Sequence, residues 1–566
     1  MNKDTAKKTI FTVMIFLLLF IFSGVSQAGD GKIFPSPKQV EIKNFKVELN
    51  KDWGISVCGN DSKVVGIAVY LENTMLQDFG MSLGIHGALD PGAADSFFIG
   101  LAGEDKMQKI LKEKGISFPQ NLGKEGYLLE VYPGAVVITA NTPAGIFYGV
   151  QSFIQLISRD NNGTVRIAAA SVRDYPVSGI RGVYINAANL DKLKEQIDYL
   201  ACLKINFVII ENWAFFNLKE KDNSEKLTEI FEYARERFIE PVPHLNSFSY
   251  AGPVLSKDPY AAEGIWVEDA HFRFANDEAV PSGKSRALTN VIRCDESEIT
   301  VKSSEGDVIY KEGKDYRIAE GPMSYPYSDD NKPTRIIRLQ DGKIRDREDV
   351  LVSYDYVEKK TASWANWVAP YCPSSERTYK IINSALEGVI ETLHPRYISI
   401  GHDEIFGMNR DSRCKKRNLS NAEILSGDIN RLYDCIKNAD PDIKVMMWDD
   451  MLNPWHNGGV ENMQLQFGGE AGKTSEAIET IPHDIIMLVW WYESADKFGK
   501  INNSPAYFQS KGFDYIVAGY KDTESIRKWA VSVRGKKKCL GIMDTAWEQF
   551  ENNLDAIRYT ADASWN

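Results

Sequence analysis

From residue 179 onward, short apolar, β-branched runs alternate with stretches of helical period. The runs are "IRGVYIN" (from 180), "NFVIIENW" (206), "EPVPHLN" (240), "RYISIGHDE" (396), "KVMMWDDML" (444), "IIMLVWWY" (485), "DYIVAGYK" (514) and "LGIMDTAW" (540). Apolar runs of this length suit strands covered on both faces, as in a parallel sheet flanked by helices. Most are separated by amphipathic segments such as "LDKLKEQIDYLACLK" and "AEILSGDINRLYDCIKNA"; the segment after the fifth run has the weakest helical pattern. Eight such repeats predict an α/β fold, a closed (β/α)8 TIM barrel rather than an open sheet.

Two regions break this rhythm. Residues 29–177 read as an N-terminal α/β accessory domain: a helix at "KVVGIAVYLENTMLQDF", a buried strand at "FFIGLAG", a hairpin at "YLLEVYPGAVVITA" and a helix opening at Pro143. The boundary falls in "VRDYPVSGIRG", and the barrel takes residues 178–566. Residues 266–365 carry alternating runs, "SEITVKS", "KDYRIAEG", "TRIIRLQDG" and "EDVLVSYDYV", between Gly and Asp turns. They predict a β-rich insertion between barrel strands three and four. Setting it aside leaves a barrel of about 290 residues, within the usual range.

Composition adds limits. The formal net charge of −12 argues against a nucleic-acid surface, which needs clustered Lys and Arg. Lys3, Lys7 and Lys8 precede the apolar run "IFTVMIFLLLFIF", and "SQA" ends at Ala28; residues 1–28 therefore read as a signal peptide. The run is too short to span a bilayer comfortably. A mature chain starting near Gly29, periplasmic or extracellular, with no later membrane span, is the expectation. The seven cysteines are scattered without CxxC or zinc-ligand spacing, so no metal or cofactor is expected; export permits disulfides, but spacing cannot pair them.

The strand ends carry the chemistry, because active sites of such barrels collect at the C-terminal ends of the strands. Asn246, Asp403 and Glu404, Trp448 and Asp449, Trp490 and Trp491, Tyr520 and Asp522, and Trp547 and Glu548 fall there. Aromatics interleaved with acids suit a sugar, rings on its apolar faces and carboxylates on its hydroxyls. One strand-end Trp is more often packing, and one Asp more often a helix cap; the accumulation is what points to a site. Neighbouring residues on a regular strand face opposite ways, so Asp403 and Glu404 share a site only if the strand gives way to loop at that point.

At these motifs the chain resembles glycoside hydrolase family 20, the β-N-acetylhexosaminidases, over nearly all of its length outside the insertion. "SIGHDE" is similar to the family's Gly-Gly-Asp-Glu signature at Gly401, Asp403 and Glu404, and "AGYKD" to its Tyr-x-Asp element at Tyr520 and Asp522. The stretch "GYLLEVYPGAVVITANTPAGIFYGVQSFIQL" resembles its accessory domain. The resemblance implies removal of terminal β-linked N-acetylhexosamine by a retaining, substrate-assisted mechanism through an oxazoline. Glu404 would be the general acid/base, and Asp403, ionised, would orient the acetamido group. Tyr520 would bond the acetamido oxygen, and Arg181, Asp522 and Glu548 the sugar. Trp448, Trp490 or Trp491, and Trp547 would form a cage. The chain departs from the pattern at His402, Ser399, Asn186 and Asn246, and in having Glu548 directly after Trp547. His402 reads as a packed imidazole supporting the site, with Asn186 and Asn246 in a similar supporting position. The partner implied is a glycan or glycoconjugate. Rival readings are another acetamido-assisted glycosidase, such as a β-N-acetylgalactosaminidase or an O-GlcNAcase-like enzyme, and a non-catalytic glycan-binding relative.

Overall fold

The computed structural model describes residues 32–566 except 88–94, 320, 322, 325–330, 359–368, 406, 460–472 and 497–498. The apolar run at 10–22 and the expected cleavage site lie outside the described residues. Among those described, no helix is long and apolar enough to cross a membrane.

All eight apolar runs become parallel strands of one closed barrel, paired in chain order. They are β1 (Ile180–Asn186), β2 (Phe207–Glu211), β3 (Glu240–His244), β4 (Tyr397–Ser399), β5 (Lys444–Trp448), β6 (Ile486–Trp490), β7 (Tyr515–Gly519) and β8 (Cys539–Ala546). Inward-facing side chains, among them Phe207, Ile209, Met446, Leu488 and Met543, pack the interior, while the alternate set meets the helices. The helices end as their sequences dictate. Asn421–Ala439 opens on a capping box in which Ser420 and Glu423 satisfy each other's backbone N–H groups. The weak segment after β5 yields only a short 3-10 turn at Thr474–Glu479 among the described residues.

A mixed eight-stranded sheet, with strands from Gln39–Glu48 to Val165–Asp174, precedes the barrel. Its helix Pro143–Gln155 starts where Thr142 caps and proline fills the first turn. A buried polar network joins this sheet to the barrel. Asp174 accepts hydrogen bonds from the Lys204 ammonium (3.3 Å), the Tyr127 hydroxyl (2.8 Å) and the Trp565 indole (2.9 Å).

An antiparallel sheet with its own core interrupts the chain between β3 and β4. Its longest strand, Ile265–Ala275, was not among the runs expected in that region. "IWVEDAHFRFA" interrupts its apolar residues with Glu268, Asp269, His271 and Arg273, and a bulge between Val267 and Ala270 breaks its alternation.

Candidate active site

β4 stops at Ser399, and the next five residues abandon strand geometry. Gly401, His402 and Glu404 have φ of +72°, +68° and +48°. Left-handed backbone costs an ordinary L-residue roughly 1–2 kcal/mol, so the surroundings must hold it. Gly401 is glycine for steric reasons as well, since a Cβ there would lie 3.2 Å from the Leu245 carbonyl and the Ser247 nitrogen. His402 is fully buried, with Nε2 at 2.8 Å from Asp428 and Nδ1 at 2.9 Å from the Ile400 carbonyl. Asp428 also accepts the hydroxyls of Tyr371 and Tyr379. His402 is thus an anchor for the turn. The Glu404 amide donates to Asp450 (2.9 Å), and its carbonyl accepts from Ser249 (2.6 Å).

The bend brings two carboxyls that a strand would separate into one half-buried pocket. Burial, then Asp450 and Glu404 nearby, pushes the Asp403 carboxyl well above the ordinary range. The surroundings of the free site therefore raise the proton affinity of Asp403. Burial lifts Glu404 to about 7; a hydrogen bond from the Tyr250 hydroxyl opposes the rise, and Asp450 adds to it. Asp450 is itself buried and raised by desolvation, against bonds from the Glu404 amide, Asn457 (2.8 Å) and the Trp490 indole (3.3 Å).

Aromatic rings wall the hollow. Trp547 packs on Tyr184 (4.3 Å between centroids) and Trp448 (5.3 Å), and its indole donates to the Tyr492 hydroxyl at 2.9 Å. Tyr492 packs against Trp490 (4.7 Å between centroids) on one side and edge-on against Tyr520 (5.4 Å). Trp448 is buried with its indole N–H unpartnered. Next to this wall, Glu211 accepts from Tyr184 (2.7 Å) and from Asn246 (2.6 Å), whose own side-chain oxygen is left without a partner. Asn186 ends β1 at the same rim and is exposed. Trp491 turns toward Lys500, whose ammonium sits 3.5 Å from its ring centroid.

Three expected sugar ligands are placed otherwise. Arg181 is the second residue of β1, about 16 Å of strand from the mouth at ~3.3 Å per residue. It is fully buried at the barrel floor, forked onto Glu125 with both contacts at 3.0 Å and bonded to the Tyr148 hydroxyl and the Lys204 carbonyl. Asp522 caps the helix Thr523–Val533, accepting from the amides of Glu524, Ser525 and Ser494. Those bonds outweigh its partial burial and hold its carboxyl below the usual range. Glu548 points to solvent and pairs with Lys521 at 2.8 Å.

Tyr250, Asp450, Tyr492, Tyr184 and Glu211 are the site residues that the sequence reading missed. Asp450 follows the strand-end Asp449, and Tyr250 sits in "NSFSYAG" after β3, so position in the loops was the available signal.

Comparisons with known proteins identify the family. Family models match twice: glycosyl hydrolase family 20, domain 2, over residues 30–175, and the glycosyl hydrolase family 20 catalytic domain over residues 344–561. The chain belongs to glycoside hydrolase family 20. Within this family, a β-hexosaminidase of Porphyromonas gingivalis is 23% identical over 265 residues, covering 41% of this chain and 32% of that protein. A β-hexosaminidase subunit beta of Sus scrofa is 26% identical, over 25% of this chain and 31% of its own. The aligned stretches thus span about a third of these relatives. Among solved structures, the family 20 exo-β-N-acetylglucosaminidase of Vibrio harveyi in complex with N-acetylglucosamine aligns with a TM-score of 0.58. It is 12% identical, covering 95% of this chain and 74% of that one. The β-N-acetylhexosaminidase of Bacteroides fragilis aligns at 0.56 with 13% identity, covering 94% and 91%. These likenesses establish a family 20 barrel fold.

Proposed function

We propose that the protein is an exported exo-acting glycoside hydrolase that removes terminal β-linked N-acetylhexosamine by substrate-assisted, retaining catalysis. The observation that carries the reading is Glu404: a carboxyl poised near 7 at the mouth of a barrel, beside a second carboxyl and a cluster of aromatic rings. Family membership and the printed activities of the relatives support the substrate class. The basic and apolar N-terminus supports export.

In the reaction, Glu404 protonates the glycosidic oxygen while the sugar's own acetamido oxygen attacks the anomeric carbon. The bond to the leaving group breaks and an oxazolinium forms. Its positive charge favours the ionised form of Asp403, which orients the acetamido N–H; the anion is stabilised where the cation develops. Glu404, now a carboxylate, deprotonates the incoming water, and the second inversion restores the configuration. Tyr492, held by Trp547, is the hydroxyl suited to the acetamido oxygen, and Tyr520 supports it through their ring contact. The test is an aryl β-N-acetylglucosaminide with wild type and Glu404→Gln, run beside the N-acetylgalactosaminide. Wild-type turnover should fall roughly 10²–10⁴-fold in the variant. Equal rates would refute Glu404's role, and sugar binding without wild-type turnover would favour the non-catalytic relative.

A further inference from the structure

We propose that Cys372, Cys414, Glu263 and Asp411 form a structural zinc site at the root of the inserted sheet. The four come from three separate chain segments, are all buried, and place one ligand atom each within 4.8 Å of the others. Such convergence is invisible in sequence, where only Asp411 and Cys414 are close.

The geometry suits a tetrahedral ion. The two sulfurs are 3.6 Å apart, and thiolates at the ~2.3 Å Zn–S distance stand about 3.8 Å from each other. Glu263 Oε2 lies 3.4 Å from the Cys414 sulfur, completing a mixed sulfur and oxygen set. Partners already orient the ligands. Glu263 Oε1 accepts the amides of Arg410 (2.7 Å) and Asp411 (3.2 Å), and Asp411 Oδ1 accepts that of Cys414 (2.9 Å). The Ser374 amide points at the Cys372 sulfur (3.4 Å) and its hydroxyl lies 3.1 Å from the Cys414 sulfur, both favouring thiolate.

Charge argues the same way. Four groups that can each carry a negative charge face a single guanidinium, Arg413, which bonds Asp411 and the carbonyls of Tyr260 and Ala262 and also pairs with Glu296 at 3.9 Å. Joining the sulfurs as a disulfide would leave both buried carboxyls with that one cation. A divalent ion answers all four at once.

The position gives the ion a role. Glu263 lies two residues before the strand Ile265–Ala275, Cys372 follows the sheet's last strand, and Asp411 closes the loop that begins at Glu404. Asp355 of the inserted sheet already holds the Ser412 amide (2.9 Å). Zinc here would clamp the insertion to the barrel and fix the far end of the catalytic loop, outside the chemistry itself.

The test is elemental analysis of the full chain, purified without metal-affinity resin and dialysed against zinc. About one zinc per chain is expected, and loss of it in Cys372→Ser/Cys414→Ser. Should that variant not fold, cobalt exchange into wild type decides. Sulfur-to-cobalt charge-transfer absorption supports the site; its absence, with no zinc bound, overturns it. Thiol alkylation after chelation and denaturation should modify all seven cysteines. A product with two cysteines protected as a disulfide would refute the proposal.

Discussion

Glu404 stands between two neighbours that pull its proton affinity in opposite directions. The Tyr250 hydroxyl bonds to the ionised carboxylate and lowers its pKa, while the charge of Asp450 raises it. A general acid must hold its proton, so kcat/KM should decline as pH rises through about 7, the value for Glu404. Tyr250→Phe removes the lowering contact and should move that alkaline limb to higher pH. Asp450→Asn, which can still accept the Glu404 amide through its oxygen, should move it lower. Full pH profiles of both variants check the pair, and shifts of equal sign would contradict the assignment. Much of this was legible only as far as the strand ends. Asp403 and Glu404 stood out as acids closing an apolar run, but Tyr250 is an ordinary loop tyrosine until the bend at 401–404 aims Glu404 at it.

At the scale of elements, the barrel strands were readable because continuous apolar runs survive any tertiary context. Which end of a strand a residue occupies was readable as well, and Arg181 shows the consequence of setting that aside. It begins β1, so it meets the accessory sheet's Glu125 rather than a substrate. Glu125→Gln should leave KM for the aryl glycoside unchanged while destabilising the chain. Removing one partner of a fully buried pair costs about 3–5 kcal/mol; here the guanidinium is buried but Glu125 is a quarter exposed, so a loss below that range is expected. Denaturant unfolding with parallel kinetics checks it; a raised KM at unchanged stability would restore Arg181 to the sugar. Asp522 and Glu548 went astray for a related reason. An acid just after a strand also starts the next helix, and capping and solvent competed successfully for both.

Across the whole molecule, desolvation raises a set of carboxyls, several of them gathered at the barrel mouth: Glu211, Asp403, Glu404, Asp449 and Asp450, with Asp544 between barrel and helices. Their folded-state affinities exceed those of the unfolded chain, near 4, so folding takes up protons above that pH. Stability should therefore fall as pH rises from about 4 toward 7. The exposed acids held low by partners, such as Glu423 and Glu524, act in the separate window below 4. A thermal midpoint higher at pH 5 than at pH 7.5 is expected, and the reverse order would contradict the burial of these groups. Sequence could not foresee this crowding, since the acids come from β2 and from the loops after β4 and β5, and only closure of the barrel gathers them.

The account as a whole requires Asp403 to answer a charge that exists only while the acetamido group is attacking. The direct measurement is kcat and KM for Asp403→Asn on an aryl β-N-acetylglucosaminide beside wild type. The expected result is a kcat lower by about 10²-fold or more, with KM altered only a few-fold. An unchanged kcat with the whole effect in KM would make Asp403 a simple sugar ligand and contradict substrate-assisted catalysis here.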